Sequence, residues 1–215
     1  MGSKTSNTSR QARIAEMRRA EQARDRRNKI IAITVSVLVL GGLGGFGAYV
    51  LNKKADQVQA KEDLVKKPVS AEQSWDVKKL GRNHVTKAVS YPMKPPVGGD
   101  HNPVWMNCNG DVYTTAIPDV NAVHSLEHGA VWITYNTKAA KGDVEKLAKK
   151  VKKTPYTLMS PVDGQAGAIM LSAWGKQVSV DGADDARVDQ FLAKYVQGPQ
   201  TPEPGAACTG GMAAQ

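Results

Sequence analysis

The sequence predicts an α+β domain, in which a small sheet has helices packed on one face, preceded by a single transmembrane helix and a loop-rich segment that contains the histidines. Three observations support this prediction. An uncharged run near the N-terminus is long enough to cross a bilayer, prolines and glycines crowd the middle of the chain, and strand-like apolar runs then alternate with amphipathic helical patterns. A chain of 215 residues has room for one ordinary domain with attachments.

The uncharged run is residues 30–51, and it follows a basic tail. As a helix it would be about 33 Å long, which matches a bilayer core of about 30 Å. Residues 1–29 contain nine Lys/Arg and three acidic residues, so they contribute +6 of the net charge of +9. By the positive-inside rule, this tail is cytoplasmic and the rest of the chain lies outside the cell membrane. A cleaved signal peptide is the alternative, although its apolar region is usually shorter.

The charge distribution indicates a membrane partner rather than a nucleic acid. Most of the positive charge belongs to the N-terminal tail, whereas Lys and Arg of the outer region are interspersed with acidic residues. The sequence also lacks G-x-S-x-G, C-x-x-C and a glycine-rich phosphate loop. We therefore expect no nucleic-acid partner and no catalytic machinery of these classes.

The region beyond the predicted membrane helix has three parts. Residues 52–74 are polar and charged and predict a stalk. Residues 75–198 are predicted to form the folded extracytoplasmic domain. Residues 199–215 are rich in Pro, Gly and Ala and have no periodicity, so we expect a tail that is disordered unless another part of the chain holds it.

The first half of the domain is predicted to be mostly loop. Residues 91–110 contain four prolines and three glycines, which favour turns over regular structure. A short strand is expected over 111–115. A short helix is expected over 119–128, with Gly129 ending it.

The second half has the clearer patterns. Residues 130–135 (AVWITY) are apolar and rich in β-branched and aromatic residues, which predicts a strand. Apolar residues at helical spacing predict helices over 142–153 and 183–195. Further strands are expected over 156–160 and 168–180, and we expect these to pair with each other through the turn between them.

All histidines of the chain fall within one 45-residue segment, which also contains two methionines and a cysteine: His84, Met93, His101, Met106, Cys108, His124 and His128. Imidazole is a common metal ligand, and sulfur ligands suit soft ions such as Cu(I). His124 and His128 are four residues apart, so on a helix they share a face and can chelate one ion. The clustering therefore predicts a transition-metal site.

The predicted ligands are His101, His124 and His128, with His84, Met93 or Met106 as possible additions. Glu127 is predicted to orient a ring as a hydrogen-bond acceptor outside the ligand set. Copper is the preferred ion and zinc the next. In this interpretation the domain binds a metal without a defined catalytic activity.

Two other interpretations of the histidines stay open. His124 to His128 reads H-x-x-E-H, the signature of the inverzincin peptidases, in which the histidines bind zinc and the glutamate assists hydrolysis. The predicted helix is short for that role, and no downstream acid is clearly placed as a third ligand. Alternatively, the histidines and Glu127 form hydrogen bonds that order a loop-rich, non-catalytic interaction module.

The two cysteines, Cys108 and Cys208, are expected to form a disulfide. The outer face of a membrane is oxidising, so two cysteines there normally pair. The bond would close a loop of about 100 residues and hold the Pro/Gly-rich tail against the histidine loop. A paired Cys108 could not be a thiolate ligand, and that ligand role is the alternative.

Several rare strings occur in order along the chain: PPVGGDH (95–101), WMNC (105–108), AVHSLEHGAVWITY (122–135), SAWG (172–175) and PEPGAAC (202–208). Through these strings the chain resembles the bacterial domain-of-unknown-function family numbered 3105. The resemblance covers about residues 75–211 and implies a membrane-associated protein without an established activity. It places the following residues on the family's pattern: His84, His101, Cys108, His124, Glu127, His128 and Cys208.

Overall fold

The computed structural model describes residues 4–213, and it describes the side chains of 16–19, 21–35, 46–60 and 62–213. The chain divides into two compact units, Met1–Gln59 and Ala60–Gln215.

Helix α1 (Lys4–Lys66) contains the segment that the sequence predicts to span a membrane. The side chains of residues 36–45, in the middle of that segment, lie outside the described part. Among the residues that the structure describes, no helix is sufficiently long and apolar to cross a membrane. The structure therefore does not support the predicted transmembrane helix.

The second unit is built on a six-stranded mixed sheet in the order β1-β6-β5-β3-β4-β2. Parallel pairing joins β4 to β2 and to β3, and antiparallel pairing joins β3 to β5, β5 to β6, and β6 to β1. The predicted α+β class is confirmed. The strands are β1 (Gln73–Ser74), β2 (Asn109–Val112), β3 (Val131–Tyr135), β4 (Thr157–Pro161), β5 (Ile169–Ala173) and β6 (Lys176–Val180).

Three helices accompany the sheet: α2 (Asp119–Glu127), α3 (Lys141–Val151) and α4 (Ala186–Tyr195). Asp185 caps α4, because its carboxylate accepts a hydrogen bond from the backbone N–H of Arg187. The residue that ends the turn after α2 is Gly129, whose φ of +92° favours glycine.

The helices lie on both faces of the sheet, so the prediction that they pack on one face is wrong. Side chains alternate along β3: Val131 and Ile133 belong to the core cluster that also contains the apolar residues of α3 and α4. Trp132 belongs to a second cluster, together with Leu126 of α2. The AVWITY run is apolar without alternation because both faces of β3 are covered.

The expected pairing of β4 with β5 is also wrong, because β3 lies between these two strands. The chain leaves β3, crosses over through α3 and returns as β4 parallel to β3, a connection that places consecutive parallel strands side by side. The free edge of β3 is then taken by β5. The predicted 168–180 strand region is in fact the hairpin β5–β6, which turns at Gly175, where φ is +67°.

Segments near both ends of the second unit also pack onto the domain. Val69 is buried in the core cluster of α3 and α4, and β1 pairs with β6 before Trp75. At the other end, the Pro/Gly-rich tail is held against the fold. Cys208 is bonded to Cys108, and Met212 pairs with the backbone of Trp105 and Asn107.

Candidate metal centre

Four side chains converge between the loop region and α2: His84, His101, His124 and Glu127. One ligand atom from each lies within 4.8 Å of those of the others. The ring centroids of His84, His101 and His124 are 4.7–5.0 Å apart. With bonds of about 2.0–2.1 Å, the ligands of a tetrahedral ion are about 3.4 Å apart, so the most distant atoms of the group would have to close by up to about 1.4 Å on binding.

Helix α2 positions two of the four. His124 and Glu127 are three residues apart, so they share a face of the helix. The helix is fixed to the loop before it, since the Ser125 hydroxyl donates to the Met106 carbonyl (2.7 Å) and the Asn121 amide donates to the Val104 carbonyl (2.6 Å). These bonds hold the loop and the helix in a defined register.

A glycine pair in the PPVGGDH string positions His101. The φ angles of Gly98 and Gly99 are +150° and +127°, which L-residues with a side chain rarely adopt. A Cβ at Gly98 would lie 2.8 Å from Leu80 and 3.2 Å from the Trp174 ring. The backbone can therefore approach Trp174 only with glycine here, and this approach directs His101 into the group.

His84 reaches the group through backbone pairing with the His101 segment. The N–H of Val85 donates to the His101 carbonyl (2.7 Å), and the His101 N–H donates to the Asn83 carbonyl (3.0 Å). This short bridge is parallel and lies outside the main sheet. It brings together two histidines that are 17 positions apart in the sequence.

Three rings are anchored in the same way through Nδ1. His101 Nδ1 donates to the Gly99 carbonyl (2.8 Å), His124 Nδ1 to the Asn102 carbonyl (2.6 Å), and His128 Nδ1 to the Ala207 carbonyl (2.6 Å). A carbonyl only accepts, so the Nδ1 atoms carry the hydrogens. The Nε2 lone pair of a neutral ring is then available to an ion, and a backbone carbonyl behind Nδ1 is the usual arrangement for a metal-binding histidine.

The contact between His101 and Glu127 is the closest in the group. Nε2 of His101 lies 2.8 Å from Oε2 of Glu127, and both side chains are almost completely buried. The pair nevertheless lacks the directional geometry of a hydrogen bond, and neither atom has another hydrogen-bond partner. We therefore treat it as an electrostatic contact. Two buried polar atoms that lack a hydrogen-bond partner are an unusual feature of a native interior.

Arg82 holds the other carboxylate oxygen of Glu127. Its Nε donates to Oε1 at 2.9 Å, which leaves Oε2 facing the histidines. Burial acts to raise the pKa of Glu127, but the contacts with His101 and Arg82 outweigh burial and lower that pKa to about 2. Glu127 is thus an anion at neutral pH, the state in which a carboxylate binds metal.

The buried rings differ in their affinity for protons. Burial lowers the pKa of His124 to about 4 and also lowers the pKa of His128. Burial opposes protonation of His101 as well, but contact with the Glu127 carboxylate outweighs it, so the pKa of His101 is raised. At neutral pH His124 is therefore a neutral ring whose Nε2 can bind an ion.

His128, a predicted ligand, is outside the converging group. Its ring packs beside that of His124, with centroids 4.5 Å apart, but its Nε2 faces Glu203 at 4.0 Å. His84, predicted only as an additional ligand, and Glu127, predicted only to orient a ring, both lie inside the group. His101 and His124 lie there as expected.

The predicted sulfur ligands occupy other positions. Met106 is buried in the core cluster of α2, with Leu126. Met93 lines a separate cavity of about 500 Å³, whose lining contains none of the histidines. The predicted disulfide between Cys108 and Cys208 is present, so Cys108 is not a thiolate ligand.

Arg82 and Trp174 are site residues that the sequence analysis missed. Arg82 binds Glu127, and the Trp174 ring meets the His101 ring edge-on with centroids 6.0 Å apart. Arg82 stands two residues before His84, in a segment without periodicity, and gives no signal of a buried partner. The SAWG string that contains Trp174 carries such a signal, because a tryptophan beside a glycine in a family-specific string points to a fixed packing role.

A family described as Protein of unknown function (DUF3105) matches residues 84–210, which is more than half of the chain. The chain therefore belongs to that family, and the resemblance inferred from its strings is confirmed. The matched range contains His84, His101, His124 and Glu127 and both cysteines. Neither a curated protein nor a solved structure matches the chain.

Proposed function

We propose that the domain binds a divalent transition-metal ion through His84, His101, His124 and Glu127, without catalysing a reaction. The contact between His101 and Glu127 is the observation that carries this proposal. It leaves a buried nitrogen and a buried oxygen 2.8 Å apart without a hydrogen bond. An ion between them and the two other rings would satisfy both atoms.

The unsatisfied atoms favour this proposal over a purely structural role for the histidines. A structural histidine in a buried site normally uses both ring nitrogens in hydrogen bonds, because an unpaired buried polar atom costs about 1–3 kcal/mol. Here Nδ1 of His101 and of His124 is bonded to a carbonyl, but His101 Nε2 has no hydrogen-bond partner. The repeated use of Nδ1 is the pattern of rings prepared for an ion.

The same geometry disfavours the peptidase interpretation of H-x-x-E-H. That mechanism requires both histidines of the motif as ligands and the glutamate as a general base. His128 faces Glu203 instead of the group, and Glu127 lies among the ligand atoms. With its pKa lowered to about 2, Glu127 is also a weak base at neutral pH.

The donor atoms favour Cu(II) or Zn(II) as the ion. The four atoms are three imidazole nitrogens and one carboxylate oxygen, a set that suits both ions. Because Cys108 is in a disulfide, the set contains no thiolate, and the argument for Cu(I) weakens. Divalent copper binds nitrogen and oxygen donors more tightly than zinc, so we expect Cu(II) to compete successfully at equal concentration.

We further propose that the domain works in an oxidising compartment. The buried disulfide supports this location, because thiols in the cytosol are normally kept reduced. Attachment to a membrane through residues 30–51 rests on the sequence alone. Fractionation of cells that express the full chain, with carbonate extraction of the membranes, tests both points: the prediction is a membrane-bound protein whose cysteines resist alkylation.

Calorimetric titration of the full chain, purified in mild detergent and stripped with a chelator, tests metal binding. We expect single-site binding of Cu(II) and of Zn(II) that is much tighter than millimolar. His124→Gln should weaken binding by more than the roughly 10–100-fold that loss of a supporting residue costs. His128→Gln is the matched control, one helical turn away and equally buried, and should change affinity only slightly.

Three results would contradict the proposal. The first is no binding tighter than millimolar, and the second is binding that both glutamine variants leave unchanged. The third is an equal loss of metal affinity in both variants, which would indicate that His128 is also a ligand. If the domain also melts at the same temperature with and without chelator, the alternative of a non-catalytic interaction module is favoured.

A further inference from the structure

The four ligand side chains differ greatly in solvent exposure. The side chains of His101 and Glu127 are 0% and 2% exposed, whereas that of His84 is 46% exposed. His124 is buried as well. The group is thus buried at His101, His124 and Glu127, and His84 is the member whose side chain reaches solvent.

His84 is also held more loosely than the other rings. Among the residues that the structure describes, it is the one histidine whose ring nitrogens form no hydrogen bond, while the other three are each anchored through Nδ1. Its Nε2 is 3.7 Å from Oε2 of Glu127, compared with 2.8 Å for His101. The backbone of its segment is fixed by the bridge to His101, and its ring is positioned by packing against the rings of His101 and His124 rather than by hydrogen bonds.

From this asymmetry we infer that the site is a carrier site, in which His84 is the exchangeable ligand and the ion passes to an acceptor at the solvent side. This inference rests on the proposed metal site and specifies its use. In a site that served only stability, each ligand ring would be expected to be fixed by a hydrogen bond through its other nitrogen, as His101 and His124 are.

The transfer is a ligand exchange and requires no redox reagent. A nitrogen or sulfur donor of the acceptor forms a bond to the ion as the bond from His84 Nε2 breaks, and the ring rotates into solvent. Further donors of the acceptor then replace Glu127, His101 and His124. The partner is accordingly a molecule or protein that offers imidazole or thiol groups; a thiol releases its proton to solvent as it binds.

Transfer kinetics test the inference with a coloured chelator as the acceptor. The full chain is loaded with Zn(II), mixed with 4-(2-pyridylazo)resorcinol at several concentrations, and followed by stopped-flow absorbance. For the wild type we expect a rate that rises with chelator concentration, since the acceptor takes part in the exchange. His84→Gln should transfer roughly 10–100-fold faster, because only water then occupies the exposed position, and should still bind zinc.

His124→Gln and His128→Gln serve as comparisons. His124→Gln should lose most of its zinc affinity, and His128→Gln should transfer at the wild-type rate. A wild-type rate independent of chelator concentration would overturn the inference, and so would a His84→Gln rate equal to that of the wild type. Both results would leave the proposed metal site standing, whereas failure of the wild type to load zinc would remove the site and the inference together.

Chemical labelling gives a second readout that does not depend on rates. Diethyl pyrocarbonate acylates exposed imidazoles, and peptide mass spectrometry then locates the label. In the stripped full chain we expect His84 to react well before the three buried histidines, and zinc to protect it. Equal labelling of His84 with and without zinc would show that it is not a ligand.

Discussion

Nε2 of His101 lies 2.8 Å from Oε2 of Glu127, in a buried position where neither atom forms a hydrogen bond. The nitrogen belongs to the loop that contains Gly98 and Gly99, and the oxygen belongs to the last turn of α2. The contact therefore joins two residues that are 26 positions apart in the sequence. Burial opposes protonation of His101, but contact with the Glu127 carboxylate outweighs it and raises the pKa of the ring. The proposed ion would compete with protons for Nε2 of His101.

The charge of Glu127 is predicted to be essential for metal affinity. Glu127→Gln keeps the size of the side chain but removes the anion, so Cu(II) and Zn(II) affinity should fall by more than roughly 10–100-fold. Glu203→Gln is the matched control, since Glu203 lies 3.9 Å from Arg82 but is half exposed and outside the group. Titration calorimetry measures both variants. An equal effect in the two would mean that net charge, and not ligation, determines affinity.

The conformation of Gly98 is predicted to be needed for the position of His101. Gly98→Ala introduces backbone strain and a Cβ against Leu80 and Trp174, so it should lower both the free energy of unfolding and metal affinity. Gly205, the control position, also has a positive φ (+85°), but a Cβ there would meet no atom within 4 Å. Strain alone, of about 1–3 kcal/mol, is expected in that control. Denaturant titration and metal-binding assays compare Gly98→Ala with Gly205→Ala. Unchanged metal affinity in Gly98→Ala would show that the conformation of Gly98 is not needed to position His101.

The stability of the metal-free domain is predicted to fall as the pH drops from 6.5 towards 4. In this range His124 takes up a proton when unfolded but not when folded, because burial lowers its folded pKa to about 4. Stability rises with pH wherever the unfolded state binds more protons, so up to about 3 kcal/mol is lost on acidification. The lowered pKa of His128 acts in the same direction. The raised pKa of His101 acts above pH 6.5 and in the opposite direction.

Urea titrations of the chelator-stripped protein at pH 7, 6 and 5 measure this dependence. His124→Gln should have a shallower dependence on pH than the wild type, because it lacks the buried titrating ring. A wild-type stability that is flat or increases on acidification in this range would show that burial does not lower the pKa of His124 in the fold.

The disulfide is predicted to stabilise the fold but to have little effect on metal affinity. Replacing Cys108 and Cys208 by serine removes a crosslink between residues 100 positions apart, which costs roughly 4–5 kcal/mol in the chain-entropy model. The tail should then exchange its amide hydrogens faster. Metal affinity of the protein that remains folded should change little, because the Ala207 carbonyl holds His128 and the N–H of Glu203 reaches the backbone carbonyl of Glu127, not its carboxylate.

Hydrogen exchange and calorimetry on the double serine variant separate these effects. Loss of metal binding in a variant that is still folded would mean that the tail helps to form the site. A change in neither stability nor exchange would show that the other contacts of the tail are sufficient to hold it.

Local pattern was enough to predict most of the secondary structure. Apolar spacing indicated α3 and α4, and the β-branched run indicated β3, because these elements bury a continuous face. The sheet order was not predictable in the same way. An apolar run such as Ala168 to Val180 does not show which strand will pair with it, and the interruption at Gly175 that divides it into a hairpin is a single residue.

The site was predictable only where its residues are close in sequence. His124 and Glu127 share a helix face, but the same argument favoured His128, whose Nδ1 bonds to the tail and whose Nε2 faces Glu203. His84 and Arg82 join the group through contacts with residues 17 to 45 positions away. Such long-range contacts leave no periodic signal in the chain.

The metal content of the natively expressed full chain decides whether His84, His101, His124 and Glu127 form a metal site. Elemental analysis of the purified protein should find copper or zinc in an amount equimolar with the wild-type chain, a strongly reduced amount in His124→Gln, and a normal amount in His128→Gln. Wild-type protein that contains no transition metal, and that takes up neither ion at micromolar concentration after stripping, would contradict the account.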